Sequence, residues 1–241
     1  MNLKLIIYKS LQENANGYYE RAKKAREKIA RLLKEIEKTN QELETRSSKP
    51  ETESPKLATQ REWFEKFHWF KTSTSKLVIG GRNAKQNELL LSKHMENNDL
   101  LFHAEVQSPM TVLKDGVNAT DADKQETAQF CASYSRAWKM GYPTMNVYCA
   151  RKEQLAFASS GEYLAHGAVG IKGMKEWFKN VTLGLRIGIL DGKIVAYPID
   201  SPVKIEHAVQ ILPGQKKKAS EIAKKLGVTK DKVDPLMPGD G

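Results

Sequence analysis

Between Leu11 and Leu43, small or apolar residues recur at Leu11, Ala15, Tyr18, Ala22, Ala25, Ile29, Leu32, Ile36, Thr39 and Leu43, in steps that alternate between four and three. Set among Arg, Lys and Glu, that period is a heptad seam, narrower than the core-facing stripe of a helix in a globular domain. It predicts a coiled-coil helix over residues 1–46 that meets a partner helix. The alternative is a lone helix packed on its own domain, and Gly17 with the alanine-rich first half weakens the seam there. Met1 to Tyr8 contains Leu3, Leu5, Ile6 and Ile7 but is too short for a membrane span.

The next stretch has no periodicity. SSKPETESPKLATQ sets Pro50 and Pro55 among Ser, Thr and Glu, as expected of a linker or a hairpin tip over residues 47–60. A globular domain is expected over residues 61–212, followed by a loosely held basic tail over 213–241 with one short helix at Ser220 to Leu226. SEIAKKLGV is similar to the first half of a helix-turn-helix, but Pro235 and Pro238 argue against a second helix.

Within 61–212, WFEKFHWF packs Trp63, Phe64, Phe67, Trp69 and Phe70 into eight residues. Such density suits a core edge better than a base-stacking platform, with His68 as a candidate exposed exception. Lys76 to Ile79 reads as a strand and Asn83 to Met95 as a helix. Leu100 to Glu105 and Met110 to Lys114 read as paired strands. Thr120 or Asp121 can cap a helix running to Trp138, and Gly141 suits its left-handed end. Thr144 to Ala150 and Val169 to Lys172 look extended. Arg186 to Leu190 and Lys193 to Tyr197 flank the Asp191-Gly192 hairpin signal, and Val203 to Leu212 is a further strand. The class is α+β, a largely antiparallel sheet with two packed helices behind the long N-terminal helix.

Lys and Arg number 39 against 29 acids, a formal charge of +10 that favours a polyanionic partner such as nucleic acid. The excess is diffuse: about +4 over residues 1–60 and about +3 over each of 61–200 and 201–241. Cys131 and Cys149 lack ligand spacing, and the chain shows no signal peptide, which predicts a reducing cytoplasm.

The sharpest local pattern is LVIGGRNAKQNE, a strand, two glycines and a polar helix start. Gly80 and Gly81 allow a tight turn and close approach of a ligand, and Arg82 and Lys85 add charge beside the first helical turn. The spacing matches neither a Walker A loop nor GxGxxG, so a tight turn capped by Asn83 is an equally good reading.

Taken in order, WFEKFHWF, GGRNAKQNELL, LLFHAEV, ETAQFCASYSRAW and SSGEYLAHGAVGIKG resemble NFACT-R, the RNA-binding module of ribosome-quality-control factors and of fibronectin-binding-protein-A-like proteins. The similarity spans roughly residues 61–190, and the heptad helix is similar to the returning arm of the family's coiled coil. The resemblance implies a non-enzymatic, cytoplasmic module without cofactor or metal that binds tRNA and the large ribosomal subunit on stalled translation complexes. It implies RNA-binding positions at Gly80, Gly81, Arg82, Asn83, Lys85, Gln86, Asn87, His103, Ser135, Arg136, Gly161, Glu162, Tyr163, Lys172 and Gly173.

Two departures stand out. Asn83 replaces the acid of the family's GRDAQQNE pattern, and His103 to Pro109 lacks the second His-Gly of the typical HADxHG. The family's N-terminal half is also absent from these residues. A fragment, a natural truncation and a half supplied by another polypeptide are the alternatives, with that half or a second copy as partner for the seam.

Two other function classes bear weighing. His103-Ala104-Glu105 has the H-x-E form of a zinc deaminase, which would make His103 and Glu105 the acid and base of a nucleic-acid-processing enzyme, but no P-C-x-x-C follows. His68, His94, His103, His166 and His207 form no ligand cluster, and Ser159 to Glu162 reads as a turn more readily than as a nucleophile and acid. The remaining class is a coiled-coil adaptor whose globular part binds protein.

Overall fold

The computed structural model describes residue 8 and residues 10–47, 62–156, 170–215 and 218–239, with side chains in the first helix up to residue 34. The chain divides into two compact units, Met1–Gln60 and Arg61–Gly241.

Among its described residues the first unit is one helix, α1 (Leu11–Ser47). Ser10 and Glu13 form a reciprocal cap: the Ser10 hydroxyl accepts the Glu13 N–H at 3.2 Å, and Glu13 Oε2 accepts the Ser10 N–H at 2.8 Å. At 1.5 Å per residue the helix is about 55 Å long. The seam residues Leu11, Ile29 and Leu32 are exposed. The linker expected over 47–60 falls, from residue 48 onward, outside the described residues.

The second unit begins with a 3-10 turn, Trp63–Lys66, followed by the hairpin β1 (His68–Lys71) and β2 (Leu77–Gly80). Next come α2 (Ala84–Leu89) and a π-helical turn, Leu90–His94, which buries Leu90 and Leu91, with Met95 buried just after it. Strands β3 (Leu100–Ala104), β4 (Thr111–Leu113), β5 (Thr144–Arg151) and β8 (Glu176–Thr182) complete a sheet of order β1-β2-β4-β3-β5-β8. The short pair β6 (Leu155–Ala156) and β7 (Gly170–Ile171) lies between β5 and β8 in sequence. A second sheet has the order β10-β9-β11, from β9 (Leu185–Leu190), β10 (Lys193–Pro198) and β11 (Glu206–Ile211). Every pairing among the described residues is antiparallel.

Alternation along the strands divides the core between the two faces of the six-stranded sheet. Phe70, Val78, Phe102, Ala104, Val147 and Phe178 join Phe130 and Cys131 of α3 (Asp121–Ser133) in one cluster that continues into the second sheet. On the opposite face Ile79, Leu101 and Val112 pack with Phe64, Phe67, Leu90 and Met110. The aromatic run therefore serves the core, as expected: Phe64 and Phe67 enter one cluster and Phe70 the other. His68 is not the exposed exception. It is half-buried, with its ring stacked on Tyr134 at 4.0 Å.

Other expectations need correction. Thr120 caps α3 through a reciprocal pair with Asp123, but the helix stops at Ser133 instead of reaching Trp138. Ser135 breaks it: its hydroxyl donates to the Ala132 carbonyl at 2.7 Å and accepts the Ala137 N–H at 3.2 Å, opening a new turn, α4 (Arg136–Lys139). Gly141 then closes that turn in the left-handed region, at φ 72°. The strand expected from Val203 starts at Glu206, because the Arg186 guanidinium takes the carbonyls of Ser201 and Val203 and holds that stretch off the ladder.

The segment after Pro213 is no loose tail. Ile222, Ala223 and Leu226 of α5 (Ala219–Leu226) are buried in the main core, together with Val233 and Leu236. Gly227 ends α5 with φ 66°, and a single helical turn, α6 (Lys230–Val233), follows where no second helix was expected. No helix among the described residues is long and apolar enough to cross a membrane.

Candidate nucleic-acid interface

The Gly80-Gly81 turn is tight because the chain packs upon itself there. A Cβ on Gly81 would lie 2.2 Å from Asn87 Oδ1 and 2.8 Å from the Asn87 backbone nitrogen, so only glycine fits. Asn87 Oδ1 also accepts the Met110 N–H at 3.2 Å, and Gly81 donates to the Met110 carbonyl at 3.2 Å. At Gly80 the nearest contact of an added Cβ would be Thr111 Oγ1 at 3.4 Å, which is far milder.

The polar residues that follow are mostly consumed in holding this turn. Asn83 caps α2 by accepting the Gln86 N–H at 3.0 Å, the same bond an aspartate would make, so the departure at this position preserves the geometry. Gln86 Oε1 accepts the Arg82 N–H at 3.0 Å, while its Nε2 donates to the Lys66 carbonyl at 3.1 Å. Arg82 Nη2 donates to the Phe67 carbonyl at 3.0 Å. Lys85 is exposed on the first turn of α2.

The turn adjoins the α3–α4 junction. His68 pairs with Gly80 across β1 and β2, and its ring lies on Tyr134. Burial, with the Arg82 charge alongside, lowers the His68 pKa to about 3, so this imidazole is neutral at pH 7. Burial likewise raises the Tyr134 phenol, and the Arg82 charge opposes the rise. The Tyr134 hydroxyl donates to the Leu236 carbonyl at 2.8 Å. His68 Nδ1 and Arg82 Nε are buried there and find no hydrogen-bond partner. One residue on, Ser135 is buried in its two structural bonds. Arg136 is exposed and donates its backbone N–H to the Gln107 carbonyl at 2.8 Å. Turn and junction therefore present Arg82, Lys85 and Arg136 as cations, with Gly81, Asn83, Gln86, Asn87 and Ser135 as their scaffold.

The remaining expected positions are elsewhere. His103 is half-buried on β3. Its Nδ1 lies 2.7 Å from the Ala104 carbonyl, and burial lowers its pKa, the Lys175 charge adding to that effect. Glu105 is exposed and accepts from Asn146 Nδ2 at 2.9 Å. Lys172 and Gly173 are exposed just before β8, where the Gln154 side chain donates to the Lys172 carbonyl at 3.1 Å and Gly173 takes φ 79°. Gly161, Glu162 and Tyr163 lie outside the described residues. No group of three or more His, Cys, Asp or Glu suited to a metal occurs among the described residues.

Sequence reasoning overlooked Tyr148, Lys175 and Trp177. Tyr148 ring contacts reach both His103 (5.8 Å) and Trp177 (5.2 Å), and Lys175 Nζ sits 4.3 Å above the Tyr148 ring. The available signal was alternation in β5, where Tyr148 falls between the buried Val147 and Cys149 and must face the other way.

Residues 66–173 match the family described as NFACT protein RNA binding domain. The archaeal Rqc2 homolog aRqcH of Methanocaldococcus jannaschii is 34% identical over 203 residues, 77% of this chain and 30% of that protein. The ribosome quality control complex subunit NEMF homolog of Drosophila melanogaster is 34% identical over 131 residues, 53% of this chain and 13% of that protein. The human subunit NEMF is 31% identical over 118 residues, 48% of this chain and 11% of that protein. The chain thus spans 30% or less of the length of each of these relatives. The C-terminal structure of the fibronectin/fibrinogen-binding protein of Streptococcus suis is similar with a TM-score of 0.43 at 19% identity, covering 73% of this chain and 78% of that one. That likeness is too distant to bear on the fold. The match identifies residues 66–173 as an NFACT protein RNA binding domain, and the identity to the archaeal Rqc2 homolog extends beyond that stretch.

Proposed function

We propose that this chain is a non-enzymatic RNA-binding module of cytoplasmic ribosome quality control, contacting tRNA and the large ribosomal subunit on stalled translation complexes. The observation that carries the reading is the NFACT RNA-binding domain at residues 66–173 in a chain with relatives named as ribosome quality control complex subunits. The cations at the Gly80 turn and the α3–α4 junction are in keeping with it. Lys85 and Arg136 are exposed and Arg82 is held from behind by the Phe67 carbonyl, an arrangement suited to phosphates. The seam of α1 is the place where the remainder of a larger factor, or a second copy, would join. Titration of labelled tRNA against the chain at several salt concentrations tests the function. Affinity should fall linearly on a log–log plot, and Lys85→Ala, Arg136→Ala and Lys172→Ala should each reduce the slope by about one. Absence of tRNA and ribosome binding at physiological salt would overturn it.

A further inference from the structure

Strands β3, β5 and β8 are neighbours, and their register places His103 opposite Tyr148 and Tyr148 opposite Trp177. The three rings form a ladder across the sheet on the face opposite α3, since Phe102, Val147 and Phe178 beside them point into the core. The outer Trp177 is 43% exposed. Tyr148 meets it in a T-shaped contact at 5.2 Å and steadies its orientation.

One cation touches this ladder, and two more lie near it in sequence. Lys175 lies over the Tyr148 ring, while Lys172 and Lys179 are exposed along the same stretch of chain. The intervening acid does not cancel them, because Glu176 faces the other side of β8 and pairs with Lys124 of α3 at 3.1 Å. Glu105 is engaged by Asn146. His103 donates from Nδ1 to the Ala104 carbonyl, which leaves Nε2 as an acceptor.

We propose that this ladder is a stacking site for an unpaired nucleotide of bound RNA, the base lying on the Trp177 indole and its phosphate facing Lys175 and Lys179. The inference rests on the RNA-binding reading and deepens it from charge contact to recognition of single-stranded segments. Charge complementarity selects this occupant. An apolar protein side chain could use the indole but would leave the row of lysines unanswered, whereas a nucleotide supplies a flat π-face and an anion together.

The test uses the full chain and two labelled RNAs of equal length, a hairpin with a large unpaired loop and a fully paired duplex, with binding followed by anisotropy. Trp177→Ala should weaken the loop RNA by roughly fivefold to a hundredfold and leave the duplex unchanged. Trp177→Phe should retain most of the loop affinity, and Lys175→Glu should lose it. Thermal melts of the three variants should match the parent, because the indole is open to solvent. Unchanged loop affinity in Trp177→Ala, with Lys85→Ala and Arg136→Ala still weakening both RNAs, would overturn the stacking site, leave RNA binding intact and assign the ladder to a protein contact. A parent chain that binds neither RNA would overturn both readings.

Discussion

The His68 imidazole lies nearly parallel to the Tyr134 ring, 27° between planes and 4.0 Å between centroids, with its Nδ1 buried away from any partner. Its folded pKa of about 3 is below the unfolded value of 6.5, so the unfolded chain binds the proton more readily between those limits. Stability from this group is complete above pH 6.5 and is lost as pH falls toward 3. Urea melts should show about 1–2 kcal/mol less stability at pH 5 than at pH 7.5 from this source. His68→Phe, which keeps a ring on Tyr134, should flatten that dependence; an unaltered pH profile in the variant would refute the assignment.

Gly81→Ala and Gly80→Ala should differ sharply although the positions are adjacent. The first drives a methyl into Asn87 and costs about 2–3 kcal/mol by overpacking. The second meets Thr111 at an ordinary distance and costs less than about 1 kcal/mol. Thermal melts compare them directly, and equal losses would contradict the close packing described for Gly81.

Ser135→Ala and Arg136→Ala separate scaffold from contact. Removal of the buried hydroxyl abolishes the turn cap and should cost about 1–2 kcal/mol, with the salt slope of RNA binding unchanged. Arg136 is exposed, so its truncation should leave the melt within about 0.5 kcal/mol and change only the slope. Melts and salt titrations on the same two proteins suffice to check this.

Ile222→Ala should destabilise the whole domain by about 2–4 kcal/mol, because the side chain is 1% exposed in the main core. A loosely attached tail would show no such effect. Hydrogen exchange at β9 and β11 gives a second readout, since α5 packs on both.

Local rules made much of this fold legible. The Asp191-Gly192 hairpin forms with both residues at positive φ, 50° and 74°, and Thr120 caps α3 as its chemistry requires. Gly81 stands where close approach demands it. What sequence periodicity missed depends on distant partners. Ser135 ends a helix whose pattern could have continued, because the Gln107 carbonyl waits for the Arg136 N–H. The last residues looked polar, yet their few apolar side chains are spaced to fill a core that exists only after β9 to β11 assemble. The candidate site divides similarly. The exposed cations Lys85 and Arg136 were readable, whereas the scaffold roles of Gln86 and Asn87 depend on bonds to the distant Lys66 and Met110, and the alignment of Tyr148 with Trp177 on cross-strand register.

The bond from the Tyr134 hydroxyl to the Leu236 carbonyl spans 102 positions and ties the helix behind the glycine turn to one of the last described segments. Seen in the order of synthesis, it makes completion of the domain wait for Leu236. A nascent chain still lacking Leu236 leaves the phenol without its acceptor and the α5–α6 side of the core open to water, so the junction beside the glycine turn reaches its final shape only once Leu236 has been made.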